Sequence, residues 1–122
     1  MVKDNNCVFC KIIKKELPSK VIFENEEFLA FLSTGPVSKG HTLLIPKKHF
    51  SDIFEFETKY LERLMGIAKK VSKKLFKDNK ATGINLLQSN GKDAQQSVFH
   101  FHLHIVPRYK NDGLDLWLKN KL

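Results

Sequence analysis

Three of the five histidines in the chain, His100, His102 and His104, alternate with Phe101 and Leu103 near its C-terminal end. In an extended strand alternate side chains share a face and stand roughly 6.6 Å apart, twice the ~3.3 Å rise per residue. The spacing predicts a row of imidazoles on one side, with Phe99, Phe101, Leu103 and Ile105 turned into the core on the other. The apolar residues fix the register, because a slip of one residue would bury all three rings. Imidazole serves as nucleophile, acid and base near neutral pH. A neutral ring nitrogen attacks phosphorus without first losing a proton, and the labile phosphoryl-imidazole bond lets water finish the cycle. Neighbouring imidazoles and backbone N–H groups can hold the phosphate oxygens as charge develops. Such a row suits in-line displacement in two steps. The same residues also fit an exposed strand that carries histidines incidentally, or a metal-binding row that would consume the lone pairs needed for attack.

Cys7 and Cys10 are the only cysteines and form a Cys-x-x-Cys pair. In a reducing compartment that spacing points to metal binding or redox chemistry before a structural disulfide.

These residues need elements to position them. Lys20 to Phe23 and Phe28 to Leu32 read as two strands joined by a turn at Asn25-Glu26-Glu27. Ser33 to Lys39 is a loop punctuated by Gly35 and Pro36, and a third strand runs from His41 to Pro46. From Thr58 to Lys77, Leu61, Leu64, Met65, Ala68, Val71 and Leu75 recur at helical spacing. Acidic residues lie near the start of this helix and Lys69, Lys70, Lys73, Lys74 and Lys77 crowd its end, a bias that suits the helix dipole and a solvated face. Gly83 to Gln88 reads as a fourth strand, Asn90-Gly91 as a turn, and Val98 to Val106 as a fifth strand stopped by Pro107. Strands grouped around one long helix indicate an α+β fold with an antiparallel sheet.

The chain has 122 residues, 42% of them hydrophobic, the size of one domain spanning 1–122 with a real but small core. Pairing with a second copy would add burial. Of 21 basic residues only Arg63 and Arg108 are arginine, and the net charge is +8. Arginine is the residue suited to bidentate phosphate and base contacts, so the charge reads as solubility and mild steering of anionic substrates, not as a nucleic-acid surface. The N-terminal Met1 to Asn6 is polar with no long apolar run after it, which argues against a signal peptide. No stretch approaches the ~20 apolar residues of a membrane span. A cytoplasmic protein is expected.

Two blocks, Gly40-His41-Thr42-Leu43-Leu44-Ile45-Pro46-Lys47-Lys48-His49 and Gln96-Ser97-Val98-Phe99-His100-Phe101-His102-Leu103-His104, resemble the histidine-triad (HIT) family, especially its Hint-like bacterial members. The likeness runs from Cys7-Val8-Phe9-Cys10-Lys11-Ile12-Ile13 to Arg108. It implies a five-stranded antiparallel sheet with one long helix and a short N-terminal helix, becoming ten-stranded in a homodimer. It also implies a hydrolase that releases AMP or GMP from purine nucleoside phosphoramidates, adenylates or dinucleoside polyphosphates through a nucleotidyl-histidine. By the same resemblance His102 is the nucleophile, His41 and His104 flank the phosphate, and Ser97 meets a phosphate oxygen or the leaving group. Asn90 lies by the phosphate and ribose, and the backbone carbonyl of His100 fixes the tautomer of His102. Members with Cys-x-x-Cys near the N-terminus can hold a structural zinc, here through Cys7, Cys10, His49 and His100 in a tetrahedral Cys₂His₂ set. The alternative is a loop with two reduced thiols and no metal.

Two positions depart from the family pattern. Ser33-Thr34-Gly35-Pro36 stands where Asp-x-x-Pro is common, so a neutral Ser33 replaces the carboxylate that holds the ribose hydroxyls. Gln95 stands where the family often has Gly, and its side chain could crowd the phosphate loop. The segment Gly35 to Gly40 has the glycine spacing of a P-loop, but His41 replaces the required Lys and a strand follows instead of a helix. That loop is expected to close one wall of the nucleotide pocket, with Phe9, Ile12, Phe31 and Leu32 as apolar walls for the base or as ordinary core. Leu114, Leu116, Trp117 and Leu118 form an apolar tail segment that packs on the parent fold or crosses to a dimer partner. A functional class distinct from the enzyme is a non-catalytic, zinc-stabilised nucleotide- or protein-binding regulatory module, which the Ser33 departure favours.

Overall fold

A computed structural model describes residues 6–120. The polar N-terminal stretch read against a signal peptide lies almost wholly outside them. Helix α1 (Val8–Ile13) is followed by strands β1 (Val21–Glu24), β2 (Phe28–Leu32) and β3 (Thr42–Pro46), helix α2 (Thr58–Asp78), strand β4 (Gly83–Leu87) and strand β5 (Leu103–Arg108). The sheet is antiparallel in the order β1-β2-β3-β5-β4. The expected α+β fold, with one long helix and a short N-terminal one, is the fold observed.

Local chemistry explains the elements. Asn25 Oδ1 accepts from the backbone N–H groups of Glu27 and Phe28 and closes the β1–β2 turn. Tyr60, Leu64, Ala68, Val71 and Leu75 make the buried stripe of α2, while Met65 is exposed and the lysines near its end face solvent. Strands β2 and β3 are buried on both faces because both faces are covered. Phe28, Ala30 and Leu44 pack under α2 with Phe101, Leu103 and Ile105, whereas Leu29, Phe31, Leu43 and Ile45 pack against Phe9, Cys10 and Ile12 of α1. The second face carries the site.

The fifth strand is shorter than its sequence pattern suggests. It begins at Leu103, not Val98, and runs through Pro107 to Arg108. Thr42, Leu43 and Leu44 pair with Ile105, His104 and Leu103, and continuing that register would set Phe101 opposite Pro46, which has no N–H. The ladder ends there, and the Phe101 N–H instead donates to the Phe50 carbonyl. At the other end Pro107 lies beyond the last β3 pair, at Thr42, so its missing donor is not required on that side. Phe101, Leu103 and Ile105 do point into the core, but Phe99 is 50% exposed. Among the described residues no helix is long and apolar enough to cross a membrane.

Candidate active site and metal centre

A cavity of about 610 Å³ opens between α1, the ends of β2 and β3, and the segment leading into β5. Its walls include Phe9 and Ile12 from α1, Phe31, Leu32, Ser33 and Thr34 at the end of β2, Leu43 of β3, and Ser97, Val98, His102 and His104. Phe9 meets Phe31 edge-on at 5.7 Å and His102 at 5.1 Å between ring centroids. Phe31 is thus both core and cavity wall. The lining combines apolar side chains with imidazoles and hydroxyls.

The three triad histidines do not form an open row. His100 is fully buried and turns to the cysteines, His102 is 6% exposed, and only His104 is half-buried. The cause is the irregular backbone before Leu103, which bends the segment below α1 where a strand would have run straight. His102 still lines the cavity, with its ring 5.0 Å from that of His104. His102 Nδ1–H donates to the His100 carbonyl at 2.8 Å, so its Nε2 keeps its lone pair. Burial lowers the His102 pKa, against the opposing effect of that bond, and keeps the ring neutral.

His41 does not line the cavity. It stands behind His104, with Nε2 2.9 Å from His104 Nδ1, and its own Nδ1 accepts from the Val37 N–H at 3.2 Å. Burial lowers His41, and burial with the neighbouring His102 and His41 pushes His104 down to about 4. The Gly35 to Gly40 loop is therefore not a wall of the cavity, as the sequence suggested, but a support for His41. Ser33 lines the cavity while its Oγ accepts from the Gly35 N–H at 3.2 Å.

Asn90 is not brought to the cavity. Its amide exchanges two hydrogen bonds with Gln88, at 2.6 and 2.7 Å, and its Oδ1 accepts from the Ile53 N–H. It braces the loop before α2. Gln95 is exposed and away from the cavity, in a left-handed conformation at φ 70° that explains why glycine suits the position. Sequence reasoning passed over Gln96, whose buried amide accepts from the Gly91 N–H and donates to the Ser51 and Val98 carbonyls, anchoring the backbone that presents Ser97. The doubled Gln before Ser97 was its only signal.

Behind His102, Cys7, Cys10, His49 and His100 converge, their four ligand atoms all within 4.8 Å of one another. His100 Nδ1 lies 3.4 Å from Cys7 Sγ, 3.5 Å from Cys10 Sγ and 3.1 Å from His49 Nδ1, and His49 Nδ1 lies 3.3 Å from Cys10 Sγ. A tetrahedral ion with ~2.3 Å bonds to sulfur and ~2.0 Å bonds to nitrogen needs edges of about 3.3 Å between nitrogens and about 3.5 Å between nitrogen and sulfur. The donor set fits such an ion. His100 Nε2–H donates to the Pro46 carbonyl at 2.8 Å, which leaves Nδ1 unprotonated toward the cluster. Burial pushes His100 down to about 4, which keeps it a neutral ligand.

The fold and site define a histidine-lined cavity on one face of an antiparallel α+β sheet, backed by a Cys₂His₂ cluster. A family model described as the HIT domain matches residues 14–111, and the chain belongs to that family. Protein hit of Bacillus subtilis is 44% identical over 109 residues, covering 88% of this chain and 75% of that protein. An adenosine 5'-monophosphoramidase of Saccharomyces cerevisiae is 41% identical over 105 residues, covering 86% of this chain and 64% of that protein. The solved structure of a zinc-bound histidine triad family protein from Mycobacterium smegmatis matches with a TM-score of 0.87 at 34% identity, covering 95% of this chain and 84% of that one.

Proposed function

We propose that the chain is a nucleotide hydrolase that cleaves a P–N or P–O bond at the α-phosphate of a purine nucleoside phosphoramidate, adenylate or dinucleoside polyphosphate. The observation that carries this reading is His102, whose Nδ1 is tied to the His100 carbonyl so that an unprotonated Nε2 remains at the cavity. The cavity volume falls within the ~300–1,000 Å³ of small-molecule sites. Phe9, Ile12, Phe31 and Leu43 would flank the base, and Ser33 and Thr34 would meet the ribose. His102 Nε2 bonds to the α-phosphorus as the bond to the leaving group breaks. Water then attacks the same phosphorus, the Nε2–P bond breaks, and nucleoside monophosphate leaves. Ser97 and His104 hold the phosphate oxygens, and His41 supports His104 from behind. The yeast relative, named for phosphoramidase activity, supports the reaction class.

In the same proposal the metal is zinc, held by Cys7, Cys10, His49 and His100. Bound there it supplies structural cross-linking and no reaction step. What the protein's own residues do is place the His100 carbonyl against His102. The span 1–122 acts as one HIT domain in the cytoplasm, as a homodimer without nucleic-acid or membrane partners. The dimer is supported by the edge strand β4, with Leu86 and Leu87 exposed, and by a tail in which Trp117 is 78% exposed.

The test is a turnover panel of adenosine phosphoramidate, a lysyl-adenylate and a diadenosine polyphosphate, with wild type and His102→Ala compared. Cleavage by wild type and none by a folded His102→Ala is the expected result. A rise in Tm with AMP but no cleavage of any substrate would replace the hydrolase with a binding module, as Ser33, its Oγ engaged by Gly35, would favour.

A further inference from the structure

The loop from Gly35 to Gly40 has no contact with the cavity, yet one of its backbone donors reaches the site through two rings. A backbone N–H only donates, so the bond from Val37 N to His41 Nδ1 at 3.2 Å requires Nδ1 to be unprotonated. A neutral imidazole carries one proton, and on His41 it must then sit on Nε2. That Nε2–H points at His104 Nδ1, 2.9 Å away, which must accept it. The proton of His104 is left on Nε2, the nitrogen not engaged by His41, on a ring that lines the cavity. Burial keeps both rings neutral near pH 7, so the order of protons along the chain is decided by tautomer and not by charge.

We propose that the Val37 backbone N–H is a positioning group that, through His41, fixes His104 as an Nε2–H donor toward the substrate phosphate. The reverse order of protons shows what is at stake. With Nδ1–H on His41, His104 would donate from Nδ1 and present a lone pair to the phosphate oxygens, turning attraction into repulsion. His102 is set the opposite way, with Nδ1–H on a carbonyl and a lone pair at Nε2. Adjacent imidazoles on one wall are thereby assigned as nucleophile and hydrogen-bond donor by two backbone groups of opposite polarity.

The loop is shaped for this. The His41 N–H donates back to the Ser38 carbonyl at 3.1 Å, curling the chain so that Val37 N faces the ring of His41. Gly40 has φ +88°, and a Cβ there would stand 2.5 Å from Asn79 Nδ2 and 3.3 Å from Pro107 Cγ. The Val37 side chain is half exposed, so the residue's identity matters less than its N–H.

The proposal rests on the hydrolase reading only for its consequence; the tautomers are measurable without substrate. Long-range ¹H–¹⁵N correlation spectra of the ¹⁵N-histidine-labelled full chain at pH 7.5 are expected to give Nε2–H for His41 and His104, and Nδ1–H for His102. An Nδ1–H His104, or an equal mixture, overturns the proposal whatever the activity. Val37→Ala keeps the N–H and should leave spectra and kcat unchanged. Val37→Pro removes it and should mix the tautomers of His41 and His104, lowering kcat by roughly 10- to 100-fold while the fold is retained. A folded Val37→Pro with wild-type tautomers contradicts the proposal. If that variant does not fold, the wild-type spectrum still decides. An Nε2–H His104 in a protein that cleaves nothing would leave the tautomer assignment standing and the hydrolase reading refuted.

Discussion

Removing metal bound at the Cys₂His₂ centre should lower the melting temperature by roughly 8–25 °C without abolishing the fold. Four of the six donor–donor edges already stand at tetrahedral spacing, 3.1 to 3.5 Å, and all lie within 4.8 Å, so little reorganisation opposes binding. With free zinc at about 100 to 1,000 times its dissociation constant, binding to the native state alone contributes about 2.7–4.1 kcal/mol. In a domain of about 120 residues each kcal/mol moves Tm by about 3–6 °C, which gives the range stated. The loss should be local in origin. Cys7 and Cys10 belong to the apolar cluster beneath α1, with Phe9, Ile12, Leu29 and Phe31, whereas the larger cluster under α2 contains no ligand. Thermal unfolding of the full chain, zinc-loaded and chelator-treated, gives the shift, and elemental analysis gives the stoichiometry. In the double variant Cys7→Ala with Cys10→Ala, chelation should change nothing. Equal melting of loaded and stripped wild type, or a double variant that retains the wild-type metal content, would refute the reasoning.

Two further outcomes follow from the site. Gly40→Ala should cost about 2–3 kcal/mol in urea denaturation, from a left-handed backbone and the close approach of Asn79 and Pro107, and a loss below about 0.5 kcal/mol would contradict the strain. His41 and His104 are held below the ordinary histidine range by burial, so between pH ~6.5 and about 4 the unfolded chain binds protons that the folded chain refuses. Stability should be full above that window and fall as pH drops through it. His104→Gln should flatten the slope of Tm against pH, and an unchanged slope would show that His104 is not held neutral by the fold.

The sequence displayed the fold more fully than the site. The stripe Leu64, Ala68, Val71 and Leu75 and the Asn25 turn report local periodicity and local hydrogen bonding, and both are where the pattern puts them. The sidedness of Phe101, Leu103 and Ile105 was legible for the same reason. Alternation could not reveal that the ladder stops at Pro46, because that depends on the pairing register between strands far apart in the chain. The open row of rings failed on this point, and with it the inward-facing Phe99. The four candidate ligands converge as the family resemblance implied, with the histidines 39 to 93 residues beyond the cysteines, and spacing alone did not place them. Asn90 stands outside the cavity lining with its amide engaged by Gln88 and the Ile53 N–H, partners that no local pattern names. The role proposed for Val37 has no trace in the sequence, since a backbone N–H carries no signature there.

In the proposed reaction His102 takes the nucleotide covalently. Rapid acid-free quenching of enzyme mixed with adenosine phosphoramidate, followed by peptide mass spectrometry, measures this directly. An acid-labile adenylyl group on the peptide carrying His102, formed and lost at rates compatible with turnover, is the predicted result. Turnover with no adduct, or with the adduct on any other residue, would contradict it.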